Sequence, residues 1–264
     1  MTSTIGSGIG PRGAALARAL RARLELDVAL VEETLPQEDR RDAAIRAAAR
    51  YLDATAPSRI AVGWGMSLRR LPDAVPRRPR ESVQVYDAVG AGAWWAPEDG
   101  PFDIAAALAA RYGGRAWHVP APVFAASNEA ARALLALPEV ARALAAAASA
   151  DVVLVGPSTA DPHMSSLVLA GGLTREGMAA LRSRGAVGDV IGQFYDASGR
   201  PIGTELDART IRLSLGQLRA ANVVAIATGT ERIPSILGAH RCGIIKGLIT
   251  DAGTCTELLE ALGS

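Results

Sequence analysis

Short apolar runs alternate along most of the chain with longer stretches rich in Ala, Leu and Arg. The runs at residues 152–155 and 223–226 are continuously apolar, which is typical of strands buried on both faces of a parallel sheet. The alternation therefore predicts an α/β fold, a doubly wound and mostly parallel sheet with helices on both faces. The predicted strands are 26–31, 59–63, 82–89, 116–119, 151–156, 189–194, 222–228 and 247–250. The predicted helices lie near 12–24, 38–55, 103–112, 128–147, 174–184, 214–220, 231–241 and 253–262.

Three of the predicted strands end in glycine-containing turns, at residues 63–67, 156–159 and 228–232. In open α/β sheets, ligands bind beyond the carboxyl ends of the strands. Glycine lets the backbone approach a phosphate there, and the N–H groups of the next helix hydrogen-bond the phosphate oxygens. Glycine at such a junction is equally compatible with tight packing alone, so the spacing leaves both interpretations open.

Composition and charge narrow the class of protein. Of 264 residues, 49% are hydrophobic and 21% are charged, which is typical of a folded domain rather than a disordered chain. The net charge of +1 gives no basic field for nucleic acid. The two cysteines form no CxxC pair, so we expect a reducing cytoplasm. Residues 1–10 lack the apolar core of a signal peptide, and no apolar run has membrane-spanning length.

Motifs of catalysis are missing from the sequence. It contains no GxSxG, HExxH or P-loop pattern, and Lys246 is its only lysine. The three histidines, His118, His163 and His240, are scattered, so we expect no metal and no cofactor. These observations favour a binding module over an enzyme.

Five segments carry a more specific signal: residues 62–68, 150–156, 185–196, 227–232 and 248–251. In this order and spacing, the chain resembles the SorC-type sugar-binding domain of bacterial transcriptional regulators. The resemblance implies a fold similar to glucosamine-6-phosphate deaminase and ribose-5-phosphate isomerase, so an isomerase-like or deaminase-like enzyme is the alternative function. It also implies a sugar or sugar-phosphate effector, and it suggests a homodimer or homotetramer.

The resemblance also implies how the chain is organised. Family members usually begin with a helix-turn-helix domain, through which operator DNA would be bound. We expect residues 1–14 to be a linker or tail, too short for that domain, and residues 15–264 to form the effector-binding domain.

The resemblance and the turns together predict a binding site. We expect the phosphate near the first turn and beside Arg232, which stands where the family has lysine and can form a bidentate pair. Asp189 and Gln193 would read the sugar hydroxyls, although Asp189 is also compatible with a turn cap. The predicted ligand-binding residues are Gly63, Gly65, Met66, Ser67, Gly156, Ser158, Asp161, Asp189, Gln193, Thr228, Gly229, Thr230 and Arg232.

Two further segments have more than one interpretation. Residues 161–166, with Asp161 and His163, are predicted to form a polar loop that lines the pocket or covers its mouth. Trp94 and Trp95 are compatible with a lid over a sugar, a hydrophobic plug or a subunit contact. We expect Trp64 to point into the core and the arginine-rich residues 69–80 to be a solvated face.

Overall fold

The computed structural model describes residues 10–35, 37–80, 82–92, 103–169 and 171–263. The predicted Trp94–Trp95 loop and residues 1–9 of the predicted tail lie outside the described residues. The first helix begins at Pro11, so residues 11–14 belong to it.

The regular elements alternate as the hydrophobic pattern predicts. The strands are β1 (Val28–Glu32), β2 (Arg59–Val62), β3 (Gln84–Ala91), β4 (Arg115–Pro122), β5 (Val152–Val155), β6 (Ser158–Thr159), β7 (Ala186–Val190), β8 (Gln193–Asp196), β9 (Val223–Ile226) and β10 (Gly247–Asp251). The α-helices are α1 (Pro11–Leu24), α2 (Arg40–Thr55), α3 (Met66–Ala74), α4 (Ile104–Tyr112), α5 (Asn128–Ala136), α6 (Pro138–Ala148), α7 (Ser166–Leu169), α8 (Arg175–Ser183), α9 (Leu215–Ala220), α10 (Ile233–Arg241) and α11 (Ala252–Gly263).

The main sheet of the described residues has seven strands in the order β1-β10-β9-β5-β2-β3-β4, all parallel to their neighbours. From β2 the chain moves outward through β3 to β4. From β5 it moves the other way, through β9 to β10. The two neighbouring strands β2 and β5 therefore flank a topological switch point, where open α/β sheets bind their ligands.

Helices cover both faces of this sheet because its strands are apolar on both sides. Val152 and Leu154 of β5 belong to a core with α2, α3 and α4, whereas Val153 and Val155 face the core formed with α1, α6, α10 and α11. The predicted doubly wound, parallel architecture is confirmed. In the part of the chain that the structure describes, no helix is long and apolar enough to cross a membrane.

The predicted helices differ from the structure in two places. The predicted helix at 128–147 is two helices, because Leu137 is extended and Pro138 opens α6. The helical conformation is disfavoured for the residue that precedes a proline, whereas the proline itself suits the first position of a new helix. Helix α3 was not predicted; it covers part of the segment 69–80 that was expected to be a solvated face, and Leu71 and Pro72 are buried in it.

The predicted single strand at 189–194 was also wrong. The chain there forms an antiparallel hairpin of β7 and β8, which makes a small sheet with β6. The turn residues Ile191 and Gly192 have φ of 44° and 80°. Positive φ at both central residues is the mark of a two-residue hairpin turn, although a β-branched residue rarely adopts it.

Candidate functional site

A cavity of about 280 Å³ lies beyond the carboxyl ends of β2, β5 and β9, at the switch point of the sheet. This volume is at the lower end of ligand pockets, which span roughly 300–1,000 Å³, so the cavity suits a small molecule. Its walls come from the turns after these strands, the first turn of α2 and the segment around α7. The lining residues are Arg41, Gly65, Met66, Ser67, Gly156, Pro157, Ser158, His163, Met164, Ser166, Leu169, Ile226, Glu231 and Arg232.

The first wall is the start of α3. Gly65 has a φ of 151°, a conformation that other residues rarely adopt, and it turns the chain directly from β2 into the helix. No side chain in the described part of the chain caps this helix, so its first N–H groups have no intrahelical or capping partner there. Gly65, Met66 and Ser67 all line the cavity. The N-terminus of an α-helix with open N–H groups favours an anion.

The second wall joins the turn after β5 to the segment that follows it. The Oγ of Ser158 accepts hydrogen bonds from the backbone N–H of Ser166 at 3.1 Å and from its hydroxyl at 3.0 Å. These bonds hold α7 beside the cavity, where Met164 and Leu169 are exposed at its edge. The edge of the cavity is therefore apolar on this side.

Asp161 shapes the same segment from outside the cavity. Its Oδ1 accepts the backbone N–H of His163 at 2.8 Å, and its Oδ2 lies 3.2 Å from the guanidinium of Arg182. The hydrogen bond from His163 lowers the pKa of the Asp161 carboxyl, and Arg182 adds to this effect. Asp161 does not line the cavity, although His163 and Ser166 do, as predicted for this loop.

The third wall is the 3₁₀ turn Thr230–Arg232 after β9. The side chain of Arg232 is 18% exposed, and its Nη1 donates to the carbonyl of Thr228 at 2.9 Å. Burial lowers the pKa of Arg232, the carboxylate of Glu231 at 3.7 Å raises it, and the charge of Arg41 lowers it again. Arginine nonetheless stays protonated in proteins, so a largely buried cation faces the cavity.

Six of the predicted ligand-binding residues line the cavity: Gly65, Met66, Ser67, Gly156, Ser158 and Arg232. Thr228, Gly229 and Thr230 do not line it, because groups of this turn are engaged elsewhere. The N–H of Gly229 donates to Thr254 Oγ1 at 2.8 Å, and the hydroxyl of Thr230 hydrogen-bonds the carboxylate of Glu257.

Asp189 and Gln193 do not line the cavity either, which corrects their predicted place across it. Asp189 is fully buried, and its Oδ2 accepts the N–H of Gly192 at 2.8 Å, which closes the hairpin turn. Burial raises the pKa of Asp189 to about 7. Gln193 is buried beside it, with its Oε1 accepting from Arg212 at 3.2 Å. The alternative interpretation of Asp189 as a turn cap describes its geometry.

Gly63 lies behind the cavity. A Cβ at this position would stand 2.7 Å from Cγ2 of Ile191, so the missing side chain lets the hairpin turn contact the first loop. Trp64 is buried in the core as predicted, and a Cβ on Gly192 would be 3.5 Å from its ring. The hairpin thus supports the first wall from behind.

Sequence reasoning missed the two charged residues Arg41 and Glu231. Glu231 lies inside a segment that had been singled out, next to Arg232. Arg41 lies in the first turn of α2, where Asp39 accepts its backbone N–H at 2.9 Å. Because α2 follows β1 in a parallel sheet, its first turn lies at the same edge as the other loops, and this was the signal available in the sequence.

Two remaining groups lie apart from the cavity lining. Nδ1 of His118 is 2.9 Å from Asp87 Oδ2, and its Nε2 is 3.4 Å from Asp103 Oδ2, so an imidazole stands between two carboxylates. One ligand atom of each of the three residues lies within 4.8 Å of the others, a cluster that the scattered sequence positions did not suggest. Lys246 precedes β10 at the opposite edge of the sheet, where its Nζ donates to the carbonyls of Arg219 and Ala221.

Comparison with known proteins agrees with this architecture. A family model described as "Putative sugar-binding domain" matches residues 12–260. The erythritol catabolism regulatory protein EryD of Brucella abortus is 28% identical over 200 residues, which are 76% of this chain and 63% of EryD. The transcriptional regulator LsrR of Klebsiella pneumoniae is 32% identical over 144 residues, which are 53% of this chain and 45% of LsrR. The chain thus spans less than two thirds of the length of these relatives.

A solved structure gives the same fold. The full-length sorbitol operon regulator SorC from Klebsiella pneumoniae superimposes with a TM-score of 0.83 and 23% sequence identity. The match covers 94% of this chain and 82% of the SorC chain.

Proposed function

This chain belongs to the sugar-binding domain family that the model at residues 12–260 describes, and we propose that its cavity binds a small phosphorylated sugar as a regulatory effector. The observation that carries the proposal is the pairing of the uncapped start of α3 with Arg232 around one cavity. A helix N-terminus and a buried guanidinium both favour a phosphate, and the guanidinium adds directional donors.

The polar groups around Arg232 would hydrogen-bond the sugar part of the ligand. Glu231, His163 and Ser166 line the cavity and offer hydrogen-bonding groups to sugar hydroxyls. Met66 and Met164 at the rim would contact the C–H faces. Asp189 takes no part in this contact set, because its side chain is sealed in the hairpin.

We infer that the domain controls a longer regulator. The relatives are transcriptional regulators longer than this chain, and operator DNA would be bound through a helix-turn-helix domain outside the described fold. Effector binding would shift an equilibrium between assembly states of a homodimer or homotetramer. The regulator would work in the cytoplasm, where sugar phosphates are found. This chain itself would catalyse no reaction.

A thermal-shift screen of paired sugars and sugar phosphates tests the ligand class. The panel includes four-carbon polyols and their phosphates, because the name of EryD refers to erythritol catabolism. Sugar phosphates should raise the unfolding temperature of the wild type and of Arg241→Ala, a control whose guanidinium binds the carbonyl of Ala197 at the far end of α10. Arg232→Ala should lose most of the shift. Stabilisation by free sugars alone would contradict the proposal.

The enzyme alternative predicts turnover. Incubation of the pure protein with the same sugar phosphates, followed by chromatography, should return them unchanged. Sustained isomerisation or deamination that disappears in Arg232→Ala would establish the enzyme instead.

The regulatory role predicts a change of assembly. Light scattering should show an oligomer whose mass or stability changes on addition of the best sugar phosphate. A monomer at every concentration, with and without effector, would contradict that role.

A further inference from the structure

Arg41 stands out among the arginines of α2. Arg40, Arg46 and Arg50 each lie within 4.0 Å of at least one carboxylate, as the pairs with Asp251 and Glu32 illustrate. Arg41 forms no such pair with any residue that the structure describes. Its Nε is buried and has no hydrogen-bond partner among the described residues, and its side chain lines the cavity. A buried donor without a partner is costly, so a partner that is bound from solution would offset this cost.

The cavity also carries more positive than negative charge. Arg41 and Arg232 both face it, and Glu231 is the carboxylate among its lining residues. The charge of Arg41 lowers the pKa of Arg232, so the two guanidinium groups lie close enough to interact electrostatically. The remaining titratable group of the lining is His163. Two guanidinium groups and one carboxylate leave a site that favours a ligand with more than one negative charge.

We propose that Arg41 is a second anion-binding residue of this cavity and that, with Arg232, it selects the phosphate of the ligand in its doubly ionised form. The proposal rests on the function proposed above and adds the charge state of the ligand and the residue that reads it. A phosphate monoester loses its second proton near a pKa of about 6, so the selection acts close to neutral pH. The fork of an arginine matches two phosphate oxygens, which a lysine cannot reproduce.

The test compares Arg41→Ala with Arg40→Ala, its neighbour on α2, which pairs with Asp251 and Glu257 and does not line the cavity. Calorimetric titration with inorganic phosphate at pH 8 should show about tenfold or greater weakening in Arg41→Ala, and little change in Arg40→Ala. Arg41→Lys should recover only part of the affinity. Without ligand, Arg41→Ala should unfold at a temperature no lower than the wild type, which a purely structural role of Arg41 would not allow.

A second titration separates the ligand's charge from that of the protein. Sulfate remains doubly charged between pH 5.5 and pH 8, so any change in its affinity reports changes in the protein rather than in the ligand. The affinity for phosphate should fall more than the affinity for sulfate as the pH is lowered. This difference between the two anions should be smaller in Arg41→Ala.

The outcomes distinguish the two proposals. If Arg232→Ala weakens phosphate but Arg41→Ala behaves as Arg40→Ala does, the role of Arg41 is refuted and the proposed function stands. If phosphate binds and neither cavity variant matters, the anion site lies elsewhere and both proposals fail. Failure of the wild type to bind phosphate or sulfate at any pH would also overturn both.

Discussion

Replacement of Asp189 by asparagine should change how the stability of the protein depends on pH. The carboxyl is fully buried, its Oδ1 has no hydrogen-bond partner within the described ranges, and burial raises its pKa from 3.8 to about 7. Between pH 3.8 and about pH 7, the folded protein therefore keeps a proton on this carboxyl that the unfolded chain has lost. The stabilisation from this proton is complete below pH 3.8, declines as the pH rises and is lost above about pH 7.

The shift of about three pKa units corresponds to about 4 kcal/mol of unfolding free energy at 1.36 kcal/mol per unit, an order-of-magnitude figure. Asparagine has nearly the same shape and no charge at any pH, and its amide oxygen can still accept the N–H of Gly192. The stability of Asp189→Asn relative to wild type should therefore increase with pH, by about 1.4 kcal/mol per unit between pH 3.8 and about pH 7.

Urea unfolding of both proteins at intervals from pH 5 to pH 8 measures this difference. Asp196→Asn is the matched control, because Asp196 lies on the same hairpin but hydrogen bonds from Ser198 lower its pKa. Its stabilisation is lost only as the pH falls through that lowered pKa, so its difference from wild type should stay constant over this range. If the stability difference between Asp189→Asn and wild type were also constant over this range, the raised pKa of the buried Asp189 carboxyl would be refuted.

Two further predictions concern contacts outside the cavity. Gly63→Ala should destabilise the protein by about 1–3 kcal/mol, since its Cβ would stand 2.7 Å from Ile191, whereas Gly203→Ala, with open space around it, should be neutral in the same urea experiment. Equal stability of the two variants would contradict the packing described here. Burial lowers the pKa of His118, but the hydrogen bond and charge of Asp87 raise it by more, so NMR titration should give a pKa above 6.5 that falls in Asp87→Asn. Any stabilisation from this pair is present below pH 6.5 and declines as the pH rises through the folded value, and an unchanged pKa in the variant would exclude the pairing.

The parallel sheet was predictable because its strands are continuously apolar and its turns carry glycine. The glycine turns and the family resemblance together identified Gly65, Ser67, Ser158 and Arg232, which line one cavity. These residues lie in the segments between a strand of the main sheet and the next α-helix, or in the first turn of that helix, so their place at the carboxyl edge follows from the alternation of strands and helices.

The hairpin could not be predicted from the hydrophobic pattern, and Arg41 was missed although the predicted parallel sheet held a signal for it. Val190 and Ile191 continue an apolar run, and nothing local shows that an isoleucine adopts positive φ and reverses the chain. If residues 189–194 form one straight strand, Asp189 is expected at the edge of the sheet. In the structure, its side chain instead accepts a hydrogen bond from the hairpin turn. Arg41 lies far from the glycine turns in sequence, and only the parallel order of the strands brings α2 to them.

The most direct test of the proposed site is a calorimetric comparison of one sugar with its phosphate on wild type and on Arg232→Ala. A hydrogen bond to a charged group contributes about 1.5–3 kcal/mol, so the wild type should prefer the phosphate by about tenfold or more. Arg232→Ala should lose most of that preference while its affinity for the free sugar stays within about twofold of wild type. Equal weakening of sugar and sugar phosphate, or an unchanged preference for the phosphate, would contradict the assignment of Arg232 as the residue that binds the phosphate.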